Sequence, residues 1–330
     1  MLHPIFRYLS RNQVILTLFL ITLGWLLLQI REVLIALFIA FILQATLLPA
    51  VDFMIKKGIP KPLAVALVFI GSISIITLIL VSLIPFFIAQ INLLFNKFPL
   101  FIDRAASSFG FDFEVSQMNK IVTSELGNIG RNAYSLTSKI FGGIFSLLTT
   151  FVISFYLIAD HERIQGSVAA LFPERSQKKT LETIKQIEEK LGAWLRGQLV
   201  LSFFIGGITY IALSLIGLEF ALPLAVLAGL LEIIPTIGPI VAAVPAILVA
   251  LNSSGGLAIV VVAAYIVIQI LENNFLVPRI MQKAVGLNPV IVITGIVIGG
   301  KLLGVLGALL SIPFITLLIV IFNTLRSTKG

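Results

Sequence analysis

The chain has 330 residues, of which 58% are hydrophobic and only 12% charged, with a mean hydropathy of +1.11. Soluble domains are about a quarter charged, so the composition specifies an integral membrane protein. Its long apolar runs, without strand-like alternation, make the spans helices rather than barrel strands. With no cysteine and only His3 and His161, a disulfide framework, a thiolate site and a histidine-rich metal centre are excluded, and no cofactor or metal is expected.

The net charge of +8 invites a nucleic-acid reading, but most charges stand in short loops beside apolar runs. Basic loops held on the cytoplasmic side explain them at lower cost, so no nucleic-acid partner is expected. The first apolar run follows Arg7 and Arg11 and has no small-residue cleavage site after it, which reads as a retained span. Spans one and two are expected over about 13–30 and 33–50, separated only by Arg31-Glu32. A polar turn with Lys56, Lys57 and Lys61 precedes span three, about 63–88.

Beyond Pro85 the pattern changes. Ile88, Ile91, Leu94, Phe98 and Phe101 recur every three to four residues with polar residues between them, the period of an amphipathic helix, and Met118, Ile121, Leu126 and Ile129 mark a weaker one. Span four is expected over 142–159. After it, Leu181, Ile184, Ile187, Leu191, Trp194 and Leu195 form one stripe on a charged helix that starts near Ser176 as N-cap and feeds span five, about 198–216. Span six (220–251) and span seven (257–276) follow. The last apolar region, 289–322, exceeds the roughly 20 residues of one straight span, so it is either a kinked helix or a re-entrant pair. The fold class is all-α and polytopic, about eight transmembrane helices or equivalents with two broken regions. The expected organisation is 1–88 (spans one to three), 89–141 (an extracytoplasmic amphipathic insertion), 142–159 (span four), 160–197 (a cytoplasmic amphipathic region) and 198–325 (spans five to eight with the transport site). Basic residues number two at the N terminus, three in 51–62, seven in 160–197 and two at the C terminus, against five across the whole insertion. Both termini are therefore expected on the cytoplasmic side of the membrane.

The working centre is expected at Gly229–Pro245. Here a carboxylate, Glu232, precedes Pro235-Thr236-Ile237-Gly238-Pro239 within an apolar run. Proline removes a backbone donor and interrupts a helix. At membrane depth a break is tolerated only where protein or water satisfies the freed groups, so an ionisable residue beside one marks a binding site. A charge there costs about 2.5–3.5 kcal/mol on insertion scales. Pairing of Glu232 with Lys301 would reduce that cost, and Glu272-Asn273-Asn274 supplies a second polar end. Gly299, Gly300, Gly304 and Gly307, spaced for close helix packing, provide packing or a hinge. His161-Glu162 lacks the second histidine of a zinc protease helix, and neither a G-x-S-x-G elbow nor a phosphate-binding loop occurs, so an enzyme is not expected.

Several blocks in order, Trp194-Leu195-Arg196-Gly197-Gln198, Gly229 to Pro239, Glu272-Asn273-Asn274 with Pro278, Gly286 to Pro289, and Gly299-Gly300-Lys301 to Ala308, resemble the autoinducer-2 exporter family of bacterial permeases. The match by blocks covers about 140–325; the first half fits by layout of spans. The resemblance implies a polytopic inner-membrane transporter not powered by ATP, exporting autoinducer-2 in some members and exchanging sodium or lithium for protons in others. It also implies homo-oligomers, pentamers among them. An aromatic residue is common where this chain has Thr236. Three functions stand at this point: export of a small polar solute, cation/proton antiport through Glu232 or Glu272, and a channel or envelope scaffold.

Overall fold

The computed structural model describes residues 13–78, 133–235, 237–281 and 288–326. Thr236 and the two amphipathic helices expected between 88 and 129 lie outside the described residues. Every described element is helical: α1 (Gln13–Gln29), α2 (Arg31–Lys56), α3 (Lys61–Leu78), α4 (Ala133–Ala159), α5 (His161–Ala170), α6 (Glu174–Leu215), α7 (Ala221–Leu231), α8 (Ile237–Ser253), α9 (Gly255–Leu271), α10 (Val277–Ile280) and α11 (Pro289–Arg326). Among the described residues, α2, α3, α6, α11 and the continuous stretch Gly255–Ile280 are long and apolar enough to cross a membrane, with shorter apolar helices at Thr17–Gln29, Ser146–Ala159, Ala221–Leu231 and Ile237–Ser253. The fold is that of an all-α polytopic membrane protein.

Helix α6 is the spine. Its 42 residues extend about 63 Å, and its charged first half continues into its apolar second half without a break. It starts at Glu174, not at Ser176: Pro173, held at φ −56°, occupies the cap position and Glu174 places an acidic side chain in the first turn. It stops where Gly217 takes φ 74° and Leu218 N–H returns to the Leu213 carbonyl at 3.0 Å, an ending that a left-handed glycine permits. Helix α4 begins at Ala133, ahead of the start expected near 142.

Three apolar clusters are arranged around this spine. One joins α2, α3 and α4 through Val51, Val65, Phe69 and Ile158. A second packs α2, α6 and α11 around Ile42, Leu191, Trp194 and Leu310. The third joins α7, α8 and α9 and is rich in small residues, Ala228, Ala242, Ala246, Ala250 and Ala258, and small side chains let helix backbones approach closely. Gly229 and Gly206 do the same between α7 and α6: a Cβ on Gly229 would stand 2.8 Å from the Ser202 carbonyl oxygen and 3.3 Å from the Gly206 Cα.

The last apolar region resolves into a hairpin. Gly304 adopts φ 63°, ψ −145°, inside what would otherwise be one helix. A Cβ on Gly299 would collide with the Gly307 carbonyl and one on Gly307 with the Gly299 carbonyl, while one on Gly295 would lie 3.7 Å from the Ser311 Cβ. The arms 289–303 and 305–326 therefore run antiparallel in close contact, the second of the two arrangements that length alone allowed.

Candidate functional site

Helix α7 ends at Leu231, α8 starts at Ile237, and Glu232 is the first residue beyond the end of α7. The cause is local: Pro235 has no N–H for the Leu231 carbonyl, and Gly238 then presses its Cα against that same carbonyl, which a Cβ would strike. Gly238 and Pro239 are buried and Pro235 is half-buried. The Glu232 side chain is 1% exposed, and its Oε2 has no hydrogen-bond partner.

The second break lies at the end of α9. Glu272 opens a single π-helical turn, Glu272–Leu276, before α10 continues. Such widened turns recur at functional positions in helices. Glu272 is 3% exposed and accepts a hydrogen bond from Gln269 Nε2 at 3.1 Å. The two carboxylates are close enough for their charges to act on one another. Each of the two breaks thus carries a buried carboxylate.

The structure does not bring Lys301 to Glu232. Lys301 is exposed on the first arm of α11, close to the Gly304 turn, and makes no ion pair with Glu232. The reason is the reversal at Gly304: a lysine near the tip of a hairpin lies at the surface rather than within the bundle. Asn273 and Asn274 are exposed as well, and the Asn274 amide donates to its own helix at the Ile270 carbonyl, 2.9 Å away. Gly299 and Gly307 form the seam of the hairpin, Gly304 forms its turn, and Gly300 stands beside the seam with its nearest atom, the Ala308 Cβ, 3.8 Å from where a Cβ would be.

Two groups of residues were not foreseen as neighbours of these breaks. Gln198, fully buried on α6, donates its Nε2 to the Glu232 main-chain carbonyl, a group left free by the broken helix, while its Oε1 has no partner. From Arg196, two residues earlier, back to Glu188, α6 grips α2. Pro49 interrupts α2 and cannot donate to the Ala45 carbonyl; Arg196 Nη1 donates there instead at 3.1 Å and to the Thr46 carbonyl at 3.2 Å. Gly192 sits against the Ala45 carbonyl. Glu188, one more turn back, accepts from Gln44 Nε2 at 3.1 Å, His161 Nε2 at 2.9 Å and Gln165 Nε2 at 2.8 Å. Glu188, Gly192 and Arg196 thus form one i, i+4, i+8 face that holds three consecutive residues of α2, beside a cavity of about 190 Å³. The Trp194–Gln198 block is therefore a junction: Trp194 is buried in the core, Arg196 satisfies α2, Gly197 faces the Met281 sulfur (2.8 Å from its Cβ position) and Gln198 satisfies the Glu232 break. A signal was present in the sequence, namely three glutamines (Gln44, Gln165 and Gln198) and a glutamate (Glu188) within helical stretches, but their partners were not.

Comparison with known proteins agrees with this architecture. The profile of the AI-2E family transporters matches residues 14–327. The AI-2 transport protein TqsA of Escherichia coli (strain K12) is 26% identical over 307 residues, covering 89% of this chain and 85% of its own. Two Bacillus subtilis (strain 168) proteins provisionally named as transport proteins also match. YueF is 27% identical over 79% of this chain and 75% of its own, and YrrI 26% identical over 87% and 84%.

Proposed function

Because this chain belongs to the AI-2E transporter family, we propose that its helices carry a small polar solute across the membrane at a site centred on Glu232 and Glu272. That the chain is a multi-pass membrane transporter follows from the family. The choice of site rests on one observation, a fully buried carboxylate with an unpartnered oxygen at a helix break, within electrostatic range of a second buried carboxylate at a second break. An unpaired buried acceptor is costly to maintain in a resting fold, which supports an occupant that arrives and leaves. The half-helix ends on either side of the break are, in this proposal, the backbone part of the site. Autoinducer-2 is the proposed cargo on the strength of the name of TqsA, with export as the direction and both termini in the cytoplasm. Asn273, Asn274 and Lys301 then serve, in this proposal, as outer contacts met during entry or release rather than as part of the buried site.

The unpartnered Glu232 oxygen also favours a second reading, exchange of a monovalent cation for a proton at the same carboxylate. The two are separated in proteoliposomes. Saturable counterflow of labelled autoinducer-2, weakened or lost in Glu232→Gln, supports the exporter. Collapse of an imposed pH gradient on adding sodium or lithium, abolished in Glu232→Gln, supports the antiporter. Flux by either route that is indifferent to Glu232→Gln and to Glu272→Gln removes the site.

A further inference from the structure

We propose that Gln198 is a specificity-determining residue of the transport site, offering its amide oxygen beside the Glu232 carboxylate to a cargo that brings positive charge or hydrogen-bond donors. The inference rests on Glu232 as the centre of that site.

The argument begins with the chemistry of an amide. A glutamine side chain has one end that only donates and one that only accepts. The Glu232 main-chain carbonyl can only accept, so the end of Gln198 that meets it must be Nε2. That contact determines the orientation of the whole group and leaves Oε1 as an acceptor directed elsewhere. Oε1 is buried without a partner, on a residue of zero exposure. The side chain of the same residue that Gln198 holds ends in a second buried acceptor without a partner, Glu232 Oε2. While Glu232 is ionised, two orphan acceptors on a hydrogen-bonded pair cannot satisfy each other. The charged neighbour of Glu232 is Glu272, again an acceptor, whose nearest donor is its own neighbour Gln269.

The unpartnered atoms of this pair are therefore of one kind, and buried acceptors are satisfied by an occupant that brings positive charge or hydrogen-bond donors. A monovalent cation does so, and so does a neutral solute rich in hydroxyl groups; an anion meets the like charge of Glu232 and Glu272. A site that hydrogen-bonds its cargo in this way discriminates strongly against analogues without the matching groups, because rejection leaves buried polar atoms unpaired. Gln198 also prevents the carbonyl freed by the break from competing for the cargo, since its Nε2 already occupies that oxygen.

The alternative to be excluded is that Gln198 only props the break through its N–H. Two variants of the full-length protein in proteoliposomes separate the roles. Gln198→Met removes donor and acceptor together. Gln198→Lys keeps a donor for the Glu232 carbonyl, removes the acceptor, and brings a cation to the Glu232 carboxylate. Both are assayed for labelled autoinducer-2 counterflow and for sodium- or lithium-driven collapse of a pH gradient, the two arms identifying which electropositive cargo is taken. Size-exclusion profile and Tm establish that each variant is folded. The expected result is a half-saturating concentration raised at least about tenfold in Gln198→Met with the saturating rate within about threefold of the parent. Flux is lost in Gln198→Lys, with Tm at or above the parent value. Unchanged half-saturation with a reduced maximal rate in Gln198→Met, or flux retained in Gln198→Lys, overturns the inference; either variant decides if the other does not fold. If parental flux is indifferent to Glu232→Gln, the proposed function itself fails. If flux depends on Glu232 but half-saturation ignores Gln198, only the role of Gln198 fails.

Discussion

Replacing Gly295 and Ser311 with cysteine places a direct question to the α11 hairpin. A straight helix would separate these positions by sixteen residues, about 24 Å at 1.5 Å per residue. In the hairpin a Cβ at 295 lies 3.7 Å from the Cβ at 311, inside the range of about 3.5–4.5 Å that a disulfide requires. The obstacle is the Ile315 Cδ1, the far end of a side chain that can rotate away. The natural chain contains no cysteine, so no other thiol interferes. Oxidation of purified Gly295→Cys/Ser311→Cys is expected to remove both thiols from reaction with a maleimide-polyethylene glycol, read as the loss of two mass increments on a gel, and reduction is expected to restore them. Closing a loop of this length is worth about 3 kcal/mol in the unfolded chain, so the oxidised form is expected to have the higher Tm. Val297→Cys with Ser311→Cys, in which the first position is 61% exposed, is the control and should keep both thiols. Two free thiols in the oxidised test pair, or equal closure in both pairs, would refute the antiparallel hairpin.

Other outcomes follow from the same geometry. Gly238→Ala pushes a methyl into the Leu231 carbonyl and is expected to cost about 1–3 kcal/mol, whereas Gly300→Ala meets only the Ala308 Cβ at 3.8 Å and should leave Tm nearly unchanged; comparable Tm values for the two would contradict the packing at the break. Arg196→Met strands the Ala45 carbonyl and should cost about 1–3 kcal/mol. Adding Pro49→Ala restores an N–H four residues after Ala45, so the double variant is expected to recover part of that loss in thermal or denaturant unfolding, and simple additivity would show that the arginine is not replacing the missing donor. Glu188→Leu leaves Gln44, His161 and Gln165 without their shared acceptor and should destabilise by roughly 3–5 kcal/mol. Glu189→Leu, at the exposed neighbouring position, should stay within about 0.5 kcal/mol.

Several features of the fold are properties of short stretches and were legible as such. Hydropathy marks helices because backbone groups in hydrocarbon must be satisfied within the segment that carries them. Pro235 with Gly238 marks the break after α7, since a missing N–H and a missing Cβ act on atoms only a few residues away. The excess length of 289–322 announced a bend, and Gly304 supplied the one conformation at which the chain could reverse. Family membership was legible for a related reason: the blocks that carry the resemblance are the positions where helices are broken, crossed or joined.

What the sequence by itself determined, then, is an all-helical membrane transporter with one carboxylate, Glu232, beside a helix break and another, Glu272, at the polar end of span seven. Only the tertiary structure decided which groups those carboxylates meet. The Glu232 carboxylate lies within electrostatic range of Glu272 and its main-chain carbonyl accepts from Gln198, while Lys301, the cation that charge balance suggested, is carried to the surface at the hairpin tip. The partners of the buried polar groups are remote along the chain, 34 residues from Gln198 to Glu232 and 144 from Gln44 to Glu188. A hydrogen bond depends on distances of a few tenths of an ångström, and those depend on how Gly206, Gly229 and Gly192 let helices approach. Local sequence indicates that a buried acceptor needs a donor; the packing of the helices chooses the donor, and for Glu232 Oε2 and Gln198 Oε1 the described residues supply none.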